Sequence, residues 1–270
     1  MSYQGLTALV TGASKGIGRA LAAELARRGA RVVLLARSRE SLSEVAAGIR
    51  EEGGTAEVVV GDLATADGPG AVLAELRERG LVVDLLVNNA GAGSVGPFLT
   101  RPLGPQLGSV ALNIDGLLAL TYAIGTDLVA RGCGGIVNVA STAAFQPMPY
   151  QASYAASKAF VLSFTEALAE ELRGTGVHVM AAHPGPVATG FFDGTSATVH
   201  PVADTPEVVA GRVLDDFARR RAVSYPGRAA SRVLNRAATW FPRLLPRTVV
   251  ARAAGALNRK LGLHEVVDAA

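Results

Sequence analysis

A short apolar run, Leu6 to Val10, leads straight into Thr11-Gly12-Ala13-Ser14-Lys15-Gly16-Ile17-Gly18. From Arg19 to Arg28 apolar residues then recur at helical spacing, with Leu21 and Leu25 on one face. No other stretch constrains the fold as much. Strand, glycine turn and helix in that order open a βα unit, and the glycines carry meaning only because of those flanks. Gly29 is placed to end the helix. Glycines let backbone amides come close to a phosphate, and a helix N-terminus adds a favourable partial positive charge. The spacing is Gly-x-x-x-Gly-x-Gly rather than the commoner Gly-x-Gly-x-x-Gly, and a tight turn without a ligand is the plainer alternative.

The alternation continues along the chain. Strands are predicted over Arg31–Ala36, Thr55–Val60, Val82–Val87 and Gly134–Ala140, within Gly174–Ala182, and briefly over Ala222–Pro226. Helices are predicted over Arg39–Glu52, Gly70–Arg79, Val110–Ala130, Ser153–Arg173 and Pro206–Arg221, with Ala92–Leu107 as a loop. Strands and helices joined by short connections imply a parallel sheet covered on both faces. With 270 residues, 49 % of them hydrophobic, the chain can bury one sizeable core. The single cysteine, Cys133, excludes an internal disulfide framework and a cysteine metal site, and fits a reducing compartment. The start shows no charged segment followed by an apolar one, and no apolar run is expected to reach the ~18–20 residues of a membrane span.

Several positions along the strand ends carry chemistry. After Ala36 come Arg37-Ser38-Arg39, with no acid to accept from a ribose 2′-hydroxyl. Lys15 and Arg37 suit a 2′-phosphate instead, whereas Arg39 reads better as a solvated loop cation. Asp62, followed by Leu63, can accept from an adenine edge or cap a turn; both readings stay open. Asn88-Asn89-Ala90-Gly91 puts small residues where a cofactor would lie close. Asn113 sits mid-helix, which is mildly unfavourable and calls for a polar network or chance.

Ser141 follows a strand, and Tyr154 and Lys158 are four apart, on one helical face. An ammonium near a phenol favours the phenolate and would lower a tyrosine pKa from its usual ~10. Tyr150 is rejected as a rival, because Tyr154 rather than a lysine stands four residues on. His183 reads as a packed or solvated loop residue rather than a catalytic base.

These motifs, in this order and spacing, resemble the short-chain dehydrogenase/reductase family over about residues 5 to 225. The resemblance rests on Thr11-Gly12-x-x-x-Gly16-x-Gly18, Asn88-Asn89-Ala90-Gly91, Ser141 with Tyr154-x-x-x-Lys158, and Pro184-Gly185 with Thr189. It implies an α/β, Rossmann-type doubly wound parallel sheet with helices on both faces, here with a C-terminal helical extension. It implies an NADP(H)-dependent enzyme acting on a carbonyl or secondary alcohol, Lys15 and Arg37 matching the pattern of NADP-preferring members. Tyr154 would be the general acid or base. Lys158 would lower its pKa and bind the nicotinamide ribose. Ser141 would polarise the carbonyl, and Asn113 would hold a relay water. The cofactor would lie against Gly12, Ser14, Lys15, Gly16, Ile17, Gly18, Arg37, Asp62 and Leu63. Further along it would meet Asn88, Ala90, Gly91, Tyr154 and Lys158, then Pro184, Gly185, Val187 and Thr189. No metal is expected, and a homodimer or homotetramer in the cytoplasm is. A catalytically silent NADP(H)-binding scaffold is the competing class.

Domain boundaries follow: residues 1–226 as the catalytic domain, with a substrate lid over about 190–205, and 227–270 as an extension of the same unit. Phe191, Phe192, Phe145, Pro147 and Met148 suggest an apolar substrate pocket. The extension is strongly basic. From Arg219 to Lys260 there are eleven Lys or Arg and no Asp or Glu, which leaves the rest of the chain with an excess of acid. Arg228, Arg232 and Arg236 share one helix face, and Val233, Leu234, Ala237, Trp240 and Phe241 lie on the other. Such a helix either contacts a membrane surface or packs its apolar face on the body or a second subunit. The balance tips slightly towards packing. Nucleic-acid binding is not expected, because no recognisable module accompanies the charge.

Overall fold

A computed structural model of the protein describes residues 2–190 and 203–266. The expected lid over 190–205, including Phe191 and Phe192, lies almost wholly outside the described residues.

Seven strands form one parallel sheet in the order β3-β2-β1-β4-β5-β6-β7. They are β1 (Thr7–Thr11), β2 (Arg31–Ala36), β3 (Thr55–Val60), β4 (Leu85–Asn88), β5 (Gly134–Val139), β6 (Val177–Ala182) and β7 (Val223–Ser224). The intervening helices are α1 (Gly16–Arg27), α2 (Arg39–Glu51), α3 (Gly68–Glu78), α4 (Leu103–Val110), α5 (Leu117–Arg131), α6 (Ala152–Glu171) and α7 (Pro206–Ala218). Alternate strand residues feed opposite cores, as the period of a strand requires. On one face Ala8, Val10, Val32 and Leu34 meet Leu21 and Leu25 of α1, Leu42 of α2 and Phe217 of α7. On the other, Leu9, Val33 and Leu35 meet Val72 and Leu76 of α3 and Leu120, Ile124 and Leu128 of α5. Each such fully buried aliphatic or aromatic side chain contributes about 1.5–3 kcal/mol relative to exposure.

The strand order runs one way from β1 to β3 and the other way from β4 to β7. The crevice above the carboxyl ends of β1 and β4 is therefore the switch point, where open α/β sheets bind ligands.

Three expectations change. β4 starts at Leu85, not Val82, because Asp84 is taken up at the sheet's entrance: its carboxylate accepts from Thr7 N at 2.9 Å, leaving Val82 exposed. The loop expected over Ala92–Leu107 is helical from Leu103, and α4 continues through a π-helical turn (Ala111–Gly116) into α5. That composite helix, Leu103–Arg131, has the length and hydropathy of a membrane span, contrary to the expectation that none would. Its Leu120, Ile124 and Leu128 lie in the core, so its apolar character is explained by the sheet it covers.

The extension forms α8 (Ala229–Trp240), a 3₁₀ turn (Phe241–Leu244) and α9 (Arg247–Lys260). Asp204, buried, accepts from the Arg228 backbone N–H and from Arg228 Nε at 2.8 Å, which fixes where α8 begins. The inner face of α9 is held by Asn258, whose amide donates to Pro149 O at 2.8 Å. Beyond α9, Leu263 and Val266 pack with Val95 and Tyr150. The expected apolar face of α8 does not pack on the body. The helix turns its polar residues Asn235 and Thr239 inward, leaving Val233, Leu234, Trp240 and Phe241 exposed.

Candidate active site

The glycine loop is shaped by close approach. Gly12 has φ +66°, and a Cβ there would lie 2.9 Å from Ala90 Cα. A Cβ on Gly18 would fall 2.2 Å from Gly12 O, so β1, the turn and α1 come together only without side chains. Thr11 Oγ1 accepts from Asn89 N at 3.0 Å and Ala90 N at 2.8 Å, and Asn89 Nδ2 donates to Thr11 O at 2.9 Å. These bonds tie the loop after β4 to the loop after β1. Neither Thr11 nor Asn89 was singled out as a site residue, although Thr11 ends a strand immediately before Gly12. The α1 N-terminus carries no capping side-chain bond and no acid in its first turn. Its open amides and the glycine cradle fit an anionic dinucleotide. Ser14 and Ile17, in the same turn and helix start, are partly buried.

Lys15 and Arg37 are both exposed. Lys15 Nζ donates to Gly190 O at 3.1 Å, which draws it towards the segment after β6. Among the described residues Arg37 makes no hydrogen bond or ion pair, and it follows β2 directly. Asp62 Oδ1 accepts from Ala64 N at 3.0 Å, so the turn-capping role is realised. The Leu63 side chain is buried in the core.

The Asn88 amide is turned into the molecule, donating to Thr121 Oγ1 and to Asn138 Oδ1, both at 2.9 Å. Asn138 Nδ2 in turn donates to Thr165 Oγ1 at 3.0 Å. This buried polar ladder links β4 and β5 to α5 and α6, and leaves Asn88 only its backbone to border the crevice. Asn138 was missed in the sequence. Its signal was an asparagine inside an apolar strand.

Ser141 lies just past β5 with Oγ accepting from Ala143 N at 3.1 Å. Tyr154 and Lys158, both on α6, face it. The Ser141 hydroxyl stands close enough to the Tyr154 hydroxyl to lower the phenol's pKa. Lys158 is buried, its Nζ donating to Val139 O at 2.8 Å and standing 6.0 Å from the Tyr154 ring centre. Burial lowers the Lys158 ammonium to about 8. The expected lowering of Tyr154 by Lys158 is not what the structure gives. Burial holds the phenol above its usual range, and the Ser141 hydroxyl offsets only part of this. The physical reason is direction: the ammonium is aimed at a carbonyl on β5.

Asn113 lies in the π turn, and its carboxamide is engaged three times. Oδ1 accepts from Ala92 N at 3.0 Å, and Nδ2 donates to Ala92 O at 2.9 Å and to Ser157 Oγ at 2.8 Å. The mid-helix asparagine is thus explained by a polar network in a π turn, a feature common at functional sites. A Cβ on Gly91 would lie 3.1 Å from Asn113 Oδ1 and 3.2 Å from Lys158 Nζ, so Gly91, Asn113 and Lys158 meet.

After β6, Pro184 O accepts from Thr142 N at 3.0 Å. Gly185 lies against Asn235 of α8, and Val187 pairs with Asp204. Thr189 touches Gly16, its methyl 3.0 Å from where a Cβ would be. The segment therefore closes the crevice from the side opposite the Ala90 loop. His183 is fully buried, packed edge-on to Phe145 at 4.9 Å, and its imidazole is pushed down to about 4 by burial. A neutral packed histidine is the reading expected for it. Among the described residues no cluster of His, Cys, Asp or Glu could hold a metal ion.

The arrangement can hold an anionic dinucleotide along the carboxyl edge of the sheet and present a protonated phenol, backed by a serine hydroxyl, to a substrate oxygen. That defines a class: a Rossmann-type α/β protein with a Ser–Tyr–Lys centre at its switch point. The sequence matches short chain dehydrogenase over residues 6–199. It is 37 % identical over 186 residues to the short chain dehydrogenase MYCFIDRAFT_6125 of Pseudocercospora fijiensis, covering 68 % of this chain and 60 % of that one. It is 36 % identical over 213 residues to a 3-oxoacyl-[acyl-carrier-protein] reductase of Synechocystis sp., covering 76 % and 86 %. Among solved structures, a short-chain dehydrogenase from Sphingobium yanoikuyae in complex with NADPH superposes with a TM-score of 0.76 at 32 % identity, over 90 % of this chain and 97 % of that one. The chain belongs to the short-chain dehydrogenase family of oxidoreductases.

Proposed function

We propose that the protein is an NADP(H)-dependent ketoreductase that reduces an apolar or lipid-like ketone or aldehyde, or runs the reverse oxidation. The observation that carries this is the Ser141–Tyr154–Lys158 group set beside the glycine cradle, with Tyr154 held protonated. The nicotinamide, when bound, supplies or accepts the hydride. Tyr154 delivers the proton to the substrate oxygen, an assignment favoured by a phenol that stays protonated near neutrality. Ser141 donates to the same oxygen and fixes its position. Lys158 keeps its charge below about pH 8 and returns a proton towards Tyr154. Asn113 braces Ala92 and Ser157 and so holds the floor of the site. Val187 and Thr189 hold the carboxamide end of the cofactor. Its remaining contacts run through Gly12, Ser14, Gly16, Ile17, Gly18, Asp62, Leu63, Asn88, Ala90, Gly91, Pro184 and Gly185.

Lys15 and Arg37 act as the 2′-phosphate clamp. The exposure of both beside the end of β2, where no acid stands, supports it. Fluorescence titration with NADPH and NADH tests the clamp. NADPH should bind at least ~tenfold tighter, and K15A/R37E should remove that preference while moving NADH affinity less than ~threefold. Equal affinities in the unaltered protein would remove the clamp. The substrate preference is supported by Phe145 near the site and by the acyl reductase among the relatives.

Residues 1–226 form the catalytic domain, with 227–270 integral to it. The protein acts in the cytoplasm as a homodimer or homotetramer. Its extension makes a peripheral membrane contact.

A further inference from the structure

The helix α8 is amphipathic in the opposite sense from an ordinary surface helix, which buries its apolar stripe. Its buried residues are polar, Asn235 and Thr239. Along α8 and the turn after it, Val233, Leu234, Trp240, Phe241 and Leu244 are between 57 % and 79 % exposed. It is flanked in sequence by Arg232, which is half-buried, and by Arg236 and Arg247, which are exposed, and no acid occurs between Phe217 and His264. Arg243 reaches back over the Trp240 and Phe145 rings, so the patch adjoins the turn that follows Ser141. Contiguous exposed apolar surface of this kind marks an interaction site.

We infer that this face of α8 and its turn docks on an anionic lipid surface, with Trp240, Phe241 and Leu244 entering the headgroup boundary and the arginines meeting phosphate groups. Charge decides the occupant. A two-fold contact between copies of this chain through the same face would bring these basic stretches together, with no acid in the stretch to offset the repulsion. An anionic bilayer offers apolar depth and negative charge together. Later in the extension, α9 and the residues after it hold the loop between Ser141 and Tyr154. Asn258 holds Pro149, and Leu263 and Val266 pack with Tyr150 and Val95, between Ser141 and Tyr154 in sequence or beside them. Docking therefore holds the substrate side of the molecule at the lipid. This commits the reading of the extension as a membrane contact to one face and one lipid charge. It does not depend on turnover: a protein that reduces ketones and ignores vesicles loses this inference alone.

Trp240 is the chain's one tryptophan, so its emission reports on the face directly. Full-length protein is titrated with vesicles of equal parts phosphatidylcholine and phosphatidylglycerol, and with phosphatidylcholine alone. The expected result is a blue shift on the anionic vesicles only, quenched by brominated acyl chains. F241S/L244S, which keeps the tryptophan, should weaken vesicle affinity at least ~tenfold, and R232E/R236E should do the same and remove the salt dependence. Equal thermal midpoints would show both variants folded. An unshifted spectrum with anionic vesicles in the unaltered protein overturns the proposal. So does a blue shift that grows with protein concentration in the absence of lipid, which would mark a contact between copies.

Discussion

Lys158 is the residue where structure and chemistry are most tightly coupled. Its ammonium is buried and donates to the Val139 carbonyl, and its pKa falls from 10.5 to about 8. The folded state therefore releases this proton before the unfolded state does. Between pH 8 and 10.5 the unfolded chain holds the extra proton, so stability rises with pH through that window and is reduced below it. The reduction is about 3 kcal/mol from the shift itself. Lys158→Met should accordingly unfold at higher urea than the parent at pH 7, by about 2 kcal/mol or more, while losing turnover; no gain in urea midpoint would contradict the burial penalty. The same sign holds in a lower window for His183, whose neutral form is buried. Stability is lost as pH falls from 6.5 towards 4. Circular dichroism across that range should show the fall, and His183→Phe should lessen it. At this scale the sequence made Ser141, Tyr154 and Lys158 visible through spacing alone. It could not show where the ammonium points, so the expected depression of the Tyr154 pKa was read wrongly. A four-residue spacing gives a shared face, not a direction.

Elements were legible wherever periodicity was long and flanked by turn signals. β2 and β3 have the predicted bounds, and α2 differs by one residue. β4 was misplaced because Val82 and Val83 continue the apolar run, while Asp84 sets the true start through its bond to Thr7. The α4–α5 region was misjudged because the glycines and prolines up to Leu107, Gly104 and Pro105 among them, suggested a loop. The π turn that presents Asn113 leaves no mark in single-sequence periodicity. The polar ladder of Asn88, Asn138, Thr121 and Thr165 likewise depends on strand register, where Asn88 faces Asn138 across β4 and β5. Removing one rung leaves buried partners unpaired. Asn138→Ala should destabilise the protein by about 2–3 kcal/mol in urea unfolding, more than an ordinary surface change. A change below ~0.5 kcal/mol would mean that the ladder is dispensable.

At the scale of the molecule, the body supplies the crevice and the extension supplies a wall. Asn258 and the residues after α9 hold the Pro149–Tyr150 segment, in which Tyr150 adopts a left-handed backbone (φ +69°) and Gly96 N donates to its carbonyl at 2.8 Å. Asn258→Ala should therefore raise KM for a bulky ketone several-fold while NADPH affinity stays within ~twofold; loss of both together would point to unfolding instead. The composition of the extension was plain in the sequence, but its orientation was not. Packing of the apolar face on the body or on a second subunit was the slightly favoured reading; against the body the structure turns the polar face instead, because Ser231 bonds Asp204 and Thr239 meets Tyr225.

Under the proposed function, Tyr154 donates the proton in an NADPH-dependent carbonyl reduction. The most direct test is NADPH oxidation with a panel of apolar ketones, 3-oxoacyl thioesters among them, by the parent protein and by Tyr154→Phe. Binding of NADPH is titrated in both. Turnover is expected in the parent and a loss of at least ~10³-fold in the variant, with cofactor affinity within ~threefold. A variant that turns over like the parent would contradict it.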